Sequence, residues 1–303
     1  MNNISTVQNQ QKQLERLSAQ RELYSSAKKW YLLQIIGSIA IPITFVLVSF
    51  FFFNLALISA MFGIAFFIFD ILIIVPIISK LKLKASKIQE LFDCDILEIP
   101  KSPLKISTDI AVEEVLTYYE AHNKIKSNVE KVRNWYPVII DEVDIAYARL
   151  ICQRTNCWWD VKLRSKYINF IRLFSICVPL LILFVGVIIH MPFEKIVLLF
   201  SGLMPFFRFA NKEYTDQKSS NDRLEKTMNY ILKIWDNILS NRIDKSMLSI
   251  ESRNIQDEIY EHRSKSPFIL DVIYNAFRNK NEDLMNKTAF ILVKEIQEAR
   301  VDA

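Results

Sequence analysis

Glycine is scarce in this chain of 303 residues, which has only four copies. Gly37, Gly63, Gly186 and Gly202 each lie inside a long apolar stretch, so the polar parts of the chain have none. A phosphate-binding loop needs several closely spaced glycines, because its backbone must approach the phosphates. This absence excludes the glycine-loop classes of nucleotide enzyme, and it favours helices in the polar parts.

Histidine and cysteine are also rare, with three and four copies. His122, His190 and His262 are far apart in sequence, and no nucleophile stands beside an obvious base. The spacing of Cys152 and Cys157 does not suit a zinc pair, and no second pair follows. The sequence therefore predicts buried thiols, no metal, no cofactor and no enzymatic activity.

Two long apolar blocks dominate what is present. The first, Trp30–Ser79, is interrupted at Asn54 and contains one charged residue, Asp70. The second contains Tyr167–His190 and Met191–Ala210. A helix of roughly 20 apolar residues crosses a bilayer core about 30 Å thick. We therefore predict an all-α integral membrane protein with four transmembrane helices in two hairpins and a helical cytoplasmic domain.

The fourth segment is the weakest of these spans. Glu194 and Lys195 shorten it at one end, and Arg208 closes it early at the other. An interfacial or re-entrant segment is the alternative there.

Lysine and arginine flank one side of every predicted hairpin, whereas the turns at Asn54 and at His190–Lys195 have almost none. Basic residues mark the cytoplasmic side of a membrane, so both termini and the middle region are expected there. The predicted divisions are a cytoplasmic N-terminal helix (1–29), a first hairpin (30–79), a helical middle domain (80–166), a second hairpin (167–210) and a helical C-terminal region (211–303).

Two charges lie at costly positions inside the predicted spans. Asp70 is about 13 Å from the cytoplasmic end of its span, and Arg172 is near the start of the third. The two could pair, or Arg172 could extend to the interface while Asp70 faces water between helices. An intramembrane carboxylate is a functional-site hypothesis by default, so a pore-lining role and a structural role both stay open.

The middle domain is expected to contain three helices. The first continues the second span, and Ser107 or Thr108 should cap the next, which ends near Lys126. The third, Ile139–Lys166, leads into the third span and presents Arg154 and Trp158 on one face.

Several short motifs resemble one known family. They are Gln20-Arg21 with Leu23-Tyr24, Trp135-Tyr136-Pro137, the run Cys152 to Asp160, and Ile255-Gln256-Asp257 with Ile259-Tyr260 and Arg263. Together they resemble the SMODS-associated four-transmembrane effector family over nearly the whole chain. The resemblance implies a bacterial inner-membrane protein of a CBASS anti-phage system, encoded beside a cyclic-oligonucleotide synthase, that damages the membrane once the nucleotide is made.

That resemblance directs attention to Arg154, Trp158 and Trp159, together with Arg149, as ligand-binding candidates. Arginine binds phosphates in bidentate fashion, and bases stack on indole rings. The alternative is an interfacial anchor, since tryptophan and arginine just before a span are typical of one.

The resulting hypothesis is a multi-pass membrane protein that oligomerises and opens a lesion, causing abortive infection. Its expected partners are the lipid bilayer, further copies of itself and a cyclic oligonucleotide made by a partner nucleotidyltransferase, with no DNA or RNA. The alternative is a membrane scaffold or sensor that forms no pore. A transporter is disfavoured by the short exterior turns and the few intramembrane polar groups.

Overall fold

The computed structural model describes residues 2–49, 51–52, 55–105, 110–125, 127–269 and 271–301. Every regular element in these ranges is helical, which confirms the predicted all-α class. The α-helices are α1 (Ile4–Val7), α2 (Gln11–Ile35), α3 (Ile41–Ser49), α4 (Leu55–Phe69), α5 (Val75–Ile96), α6 (Val112–Asn123), α7 (Ser127–Glu130), α8 (Ile145–Ile188), α9 (Phe193–Gly202), α10 (Met204–Leu239), α11 (Lys245–Lys265) and α12 (Asp271–Val301). A 3-10 helix covers Val138–Glu142. The expected helix cap at Ser107 or Thr108 lies outside the described residues.

The chain forms two compact units. The polar unit consists of Met1–Ser25, Leu81–Leu163 and Ser220–Ala303. The apolar unit consists of Ser26–Lys80 and Arg164–Ser219.

The core of the polar unit is built from helices with one apolar face. In α11, Leu248, Ile255 and Ile259 are buried at helical spacing. The helix begins where the Asp244 carboxylate accepts a hydrogen bond from the Met247 N–H at 2.8 Å. Its buried face packs into one cluster with Phe92, Tyr136 and other side chains of the polar unit.

The apolar unit contributes to three helical stretches that are long and apolar enough to cross a membrane. Within the described residues these are Gln11–Ser49, Met61–Ile96 and Ile145–Ile188. Their outward side chains include Ile64 and Phe184, which are 66% and 65% exposed in the isolated chain. So much exposed apolar surface is suited to lipid rather than water, which indicates a membrane protein.

Two π-helical segments interrupt these stretches, and each one precedes a proline at the same spacing. Ile36–Ala40 lies before Pro42, and Asp70–Ile74 lies before Pro76. A proline ring removes a backbone hydrogen bond and clashes with the carbonyl four residues earlier. In both cases that carbonyl lies inside the π segment, which accounts for the wider turn. Pro179 lies inside α8 without such a segment, so a proline alone does not decide where one forms.

The fourth predicted span is not one continuous helix. The helix α9 ends at Gly202, and α10 begins at Met204 with Pro205 in its first turn, where proline is tolerated. The ten residues of α9 rise about 15 Å, half the thickness of a bilayer core. This helix packs against α3 and α4 within the apolar unit.

The packing between the first two spans yields a first prediction. A Cβ atom added at Gly37 would lie 2.0 Å from the Phe66 ring, which stacks on Phe62. Gly37→Ala is therefore expected to destabilise the apolar unit by roughly 1–3 kcal/mol, because the ring must move. The matched control is Gly186→Ala, whose added Cβ would meet Ile196 at an ordinary 3.5 Å. Equal thermal midpoints for the two variants in detergent would contradict this packing argument.

Candidate functional site

A network of buried charged side chains lies inside the polar unit. Glu90 and Asp93, one turn apart on α5, are both fully buried. The Arg253 Nη2 atom donates to Glu90 Oε1 at 2.7 Å, and Arg263 Nη1 donates to Asp93 Oδ2. Two carboxylates of α5 are thus neutralised by two guanidinium groups of α11.

Amide and phenol groups complete this network. The Gln256 Nε2 atom donates to Glu90 Oε2 at 2.8 Å and to Asp93 Oδ2 at 3.0 Å. The Tyr136 hydroxyl donates to Asp93 Oδ1 at 3.0 Å and accepts from Asn156 Nδ2 at 2.7 Å. Side chains of α5, α8, α11 and the segment before Pro137 are therefore joined through two carboxylates.

Electrostatics keep Arg263 charged and Tyr136 protonated, which are the forms that donate these hydrogen bonds. Burial acts to lower the pKa of Arg263, but the Asp93 carboxylate beside it raises that pKa overall. Burial and the same carboxylate raise the pKa of Tyr136, so its hydroxyl stays protonated and can donate. The network therefore fixes helix positions and does not offer an exposed acid or base.

Most of this network falls on the motifs noted in the sequence. Tyr136, Asn156, Gln256 and Arg263 belong to the four-transmembrane effector pattern and meet in space. Glu90, Asp93 and Arg253 were not predicted. The sequence does carry a signal for Glu90 and Asp93, which lie one helical turn apart among the apolar residues Ile88, Leu91 and Phe92. On a helix face exposed to water, the neighbouring residues would be polar.

Among the predicted ligand residues, Arg149 is already engaged. Its side chain is buried, and it donates to the carbonyl oxygens of Leu97 at 2.5 Å and Glu98 at 2.8 Å. Those carbonyls follow the end of α5, where a cation is favourable. Arg149 therefore stabilises the end of α5.

Arg154, Trp158 and Trp159 are half-buried along α8. The Arg154 Nε atom is buried, and it has no hydrogen-bond partner in the described part of the chain. The Glu295 carboxylate of α12 is near enough to act on the guanidinium electrostatically. A ligand role for these three residues stays a prediction.

Two of the three histidines, although far apart in sequence, each lie beside an acidic residue in the fold. His122 Nδ1 lies 3.6 Å from Glu22 Oε2. His262 contacts Asp160 Oδ2 through Nε2, and its Nδ1 lies 2.8 Å from the Ser266 Oγ atom. Folding therefore places the Ser266 hydroxyl, a possible nucleophile, beside the His262 imidazole, a possible base. The sequence analysis expected no such pair. The Ser266 hydroxyl is buried at the end of α11, where the Ser266 N–H also bonds to the His262 carbonyl. This arrangement suits a helix terminus better than a substrate site.

Asp70 lies at the centre of a polar cluster within the apolar unit. It is only 4% exposed, accepts from Gln34 Nε2 at 2.6 Å, and pairs with Arg208 Nη1 at 3.4 Å. The Arg208 guanidinium also lies 4.2 Å from the centre of the Phe67 ring.

The possible ion pair between Asp70 and Arg172 is therefore wrong. Arg172 instead donates to the Tyr214 hydroxyl at 3.3 Å. The partner is Arg208 because α10 starts inside the second apolar block and carries this arginine to Asp70.

A second polar layer lies in the same unit. The Tyr31 and Tyr167 hydroxyls are 3.2 Å apart, and Glu213 lies close enough to act on both phenols electrostatically. Gln217 Nε2 donates to Glu213 Oε1 at 2.8 Å, and Arg164 donates to Gln217 Oε1. Glu213 and Gln217 are buried.

No group of three or more His, Cys, Asp or Glu side chains in the described ranges is arranged to hold a metal ion. The polar clusters are the candidate functional features of the two units.

Comparison with known proteins gives the chain a family. The model of the SMODS-associating 4TM effector domain matches residues 2–290. A protein of Bacillus cereus strain VD146, named a probable CBASS effector molecule, is 26% identical over 299 residues, covering 95% of this chain and 97% of the relative. No solved structure matches this chain. Because the family model spans nearly the whole sequence, this protein belongs to the SMODS-associating 4TM effector domain family.

Proposed function

We propose that this protein is a membrane-permeabilising effector of a CBASS anti-phage system. In this proposal a cyclic oligonucleotide from a partner nucleotidyltransferase triggers several copies to open a lesion, which aborts infection. The family membership and the name of the Bacillus cereus relative support an effector role.

The observation that carries the permeabilising role is the Asp70 cluster. Charged groups inside a membrane are costly, and they usually mark ion pathways or other functional sites. Here a carboxylate, an amide and a guanidinium from three helices meet among apolar side chains, beside a π-helical segment that begins at Asp70 itself. The Glu213 layer adds a second set of buried polar groups to the same unit.

A few helices from one chain enclose little water, so a conducting path requires several copies. The nucleotide must bind the open or assembled state better than the resting state, because a ligand with equal affinity for both shifts nothing. To move the equilibrium from 1:99 to 99:1, its affinities for the two states must differ by about 10⁴-fold.

The proposed topology places both termini on the cytoplasmic side of the bacterial inner membrane, with four crossings in two hairpins. In this view the residues from Phe193 to Ala210 cross as a broken span, with the interruption at Leu203.

This topology gives a second prediction. Single cysteines introduced at Asn54, which lies outside the described residues, and at Met191 should react with a membrane-impermeant label applied from outside the cell, because basic residues avoid both turns. A cysteine at Lys12, whose side chain is 67% exposed, should react only after lysis. Labelling of the Lys12 position in intact cells would overturn the orientation.

The function itself is tested by dye release from liposomes that contain the purified protein. The proposal expects leakage that depends on an added cyclic oligonucleotide. Nucleotide binding without leakage would instead favour a scaffold or sensor, and leakage without any nucleotide would contradict the trigger.

A further inference from the structure

One arginine on the outer surface of the apolar unit lies among apolar side chains. Arg172 of α8 is exposed, and so are Phe170 and Leu173 beside it, at 50% and 64%. Exposed apolar side chains on a membrane span face lipid, so Arg172 projects from a surface that lipid covers. A charge at such a position is costly unless a polar partner meets it.

The side chain of Arg172 is directed to the edge of the span. Arg172 is five residues beyond Tyr167, where the predicted span begins, which is about 7.5 Å along the helix axis. Long side chains on a helix point towards its N-terminus, and the N-terminal end of α8 is its polar end. The guanidinium therefore reaches back to the depth of the phospholipid headgroups.

Tyr214 of α10 meets this guanidinium. Arg172 Nη2 donates to the Tyr214 hydroxyl at 3.3 Å, and the guanidinium carbon lies 5.6 Å from the ring centre. The helix α10 begins inside the second apolar block, and Tyr214 lies four residues after that block ends at Ala210. Tyrosine is enriched at the membrane interface, where its ring contacts lipid and its hydroxyl contacts headgroups.

Arg172 keeps most of its hydrogen-bonding capacity. A guanidinium has five N–H donors, and the contact with Tyr214 uses one of them. Arg172 forms no ion pair with any residue that the structure describes. Lys218 is exposed one turn after Tyr214 and adds a second cation to the same face of α10.

The acidic residues in this part of α10 are engaged elsewhere. Glu213 is buried and accepts from Gln217 Nε2 at 2.8 Å. Asp216 pairs with Lys212 at 2.5 Å. The surface around Tyr214 is therefore left with a positive charge that favours an anion.

We propose that Arg172, Tyr214 and Lys218 bind the headgroup phosphate of an anionic phospholipid, whose acyl chains lie along the exposed apolar surface of α8. Arginine matches phosphate with two parallel N–H donors, and a tyrosine hydroxyl can donate to a further oxygen. An anionic lipid is favoured because the two cations repel the ammonium group of a zwitterionic headgroup. The bound lipid would join α8 to α10 at the membrane surface, with or without the nucleotide trigger.

The test is native mass spectrometry of the full-length protein in detergent, titrated with phosphatidylglycerol and with phosphatidylcholine of the same acyl chains. The first phosphatidylglycerol should bind about tenfold more tightly than the first phosphatidylcholine. Arg172→Gln is expected to weaken phosphatidylglycerol binding about tenfold, the lower end for losing a charged hydrogen bond. Tyr214→Phe, which keeps the ring, should weaken it about threefold. Arg172 is exposed, so its replacement should not disturb folding.

The matched control is Lys29→Gln. It removes another exposed cation of the apolar unit, at the start of the first predicted span. Its affinity for phosphatidylglycerol should stay within about twofold of wild type, because a single surface charge contributes little.

Three outcomes would overturn the lipid site. Equal affinity of wild type for the two lipids would reject an anionic headgroup. Unchanged binding by Arg172→Gln, or an equal loss in Lys29→Gln, would show that Arg172 has no specific part in it. Inorganic phosphate at the lipid concentration should not displace phosphatidylglycerol, because it cannot use the apolar surface of α8; displacement would indicate a site for free anions instead.

Discussion

Arg263→Met is expected to destabilise the polar unit by about 3–5 kcal/mol, because it leaves the Asp93 carboxylate buried without its ion pair. Asp93 is fully buried and would retain only Tyr136 and Gln256 as hydrogen-bond donors among the contacts described above. A loss of this size is a large part of the stability of an ordinary domain. The measurement is the thermal midpoint of the purified protein in detergent.

Two further variants sharpen this prediction. The control Arg242→Met removes an exposed arginine and should change stability by less than about 0.5 kcal/mol. The double variant Asp93→Leu with Arg263→Met removes both charges, and we expect it to recover part of the loss, since paired removal avoids an isolated buried charge. Equal midpoints for Arg263→Met and Arg242→Met would show that the ion pair has little structural importance.

Asp70→Leu is expected to abolish nucleotide-dependent leakage and cellular toxicity while the protein still inserts into the membrane. The leucine removes a charge that costs about 2.5–3.5 kcal/mol at the centre of a span, so insertion should improve. It also removes the acceptor shared by Gln34 and Arg208. Dye release from liposomes and colony counts at matched membrane abundance measure the effect.

The control for this variant is Asp216→Leu on α10. Asp216 is also in the apolar unit, but its side chain is 41% exposed and pairs with Lys212. This variant should keep wild-type leakage. Unchanged leakage in Asp70→Leu would make the Asp70 cluster a structural feature and remove the main support for a conducting path.

The sequence by itself determined the class of the protein. Its polar parts lack glycine, and its apolar runs have the length of spans, so helices and a membrane location follow from local composition. Pro42 and Pro76 account for the π-helical segments before them, but Pro179 lies inside α8 without one, so the sequence did not determine where these segments form. The motifs around Trp135 and Cys152 identified the family, since they do not depend on knowing which residues meet.

Only the tertiary structure decided which charges pair. Asp93 and Arg263 are 170 residues apart, and Asp70 and Arg208 are 138 apart, so helical spacing carries no information on either pair. Sequence reasoning considered Arg172 for Asp70 because both charges lie at costly positions inside predicted spans. The interruption at Leu203 starts α10 early and brings Arg208 to Asp70 instead. In the same way, His262 meets Asp160 across 102 residues. Local sequence determines which face of a helix is polar, but the packing of one helix against another decides which charged residues pair.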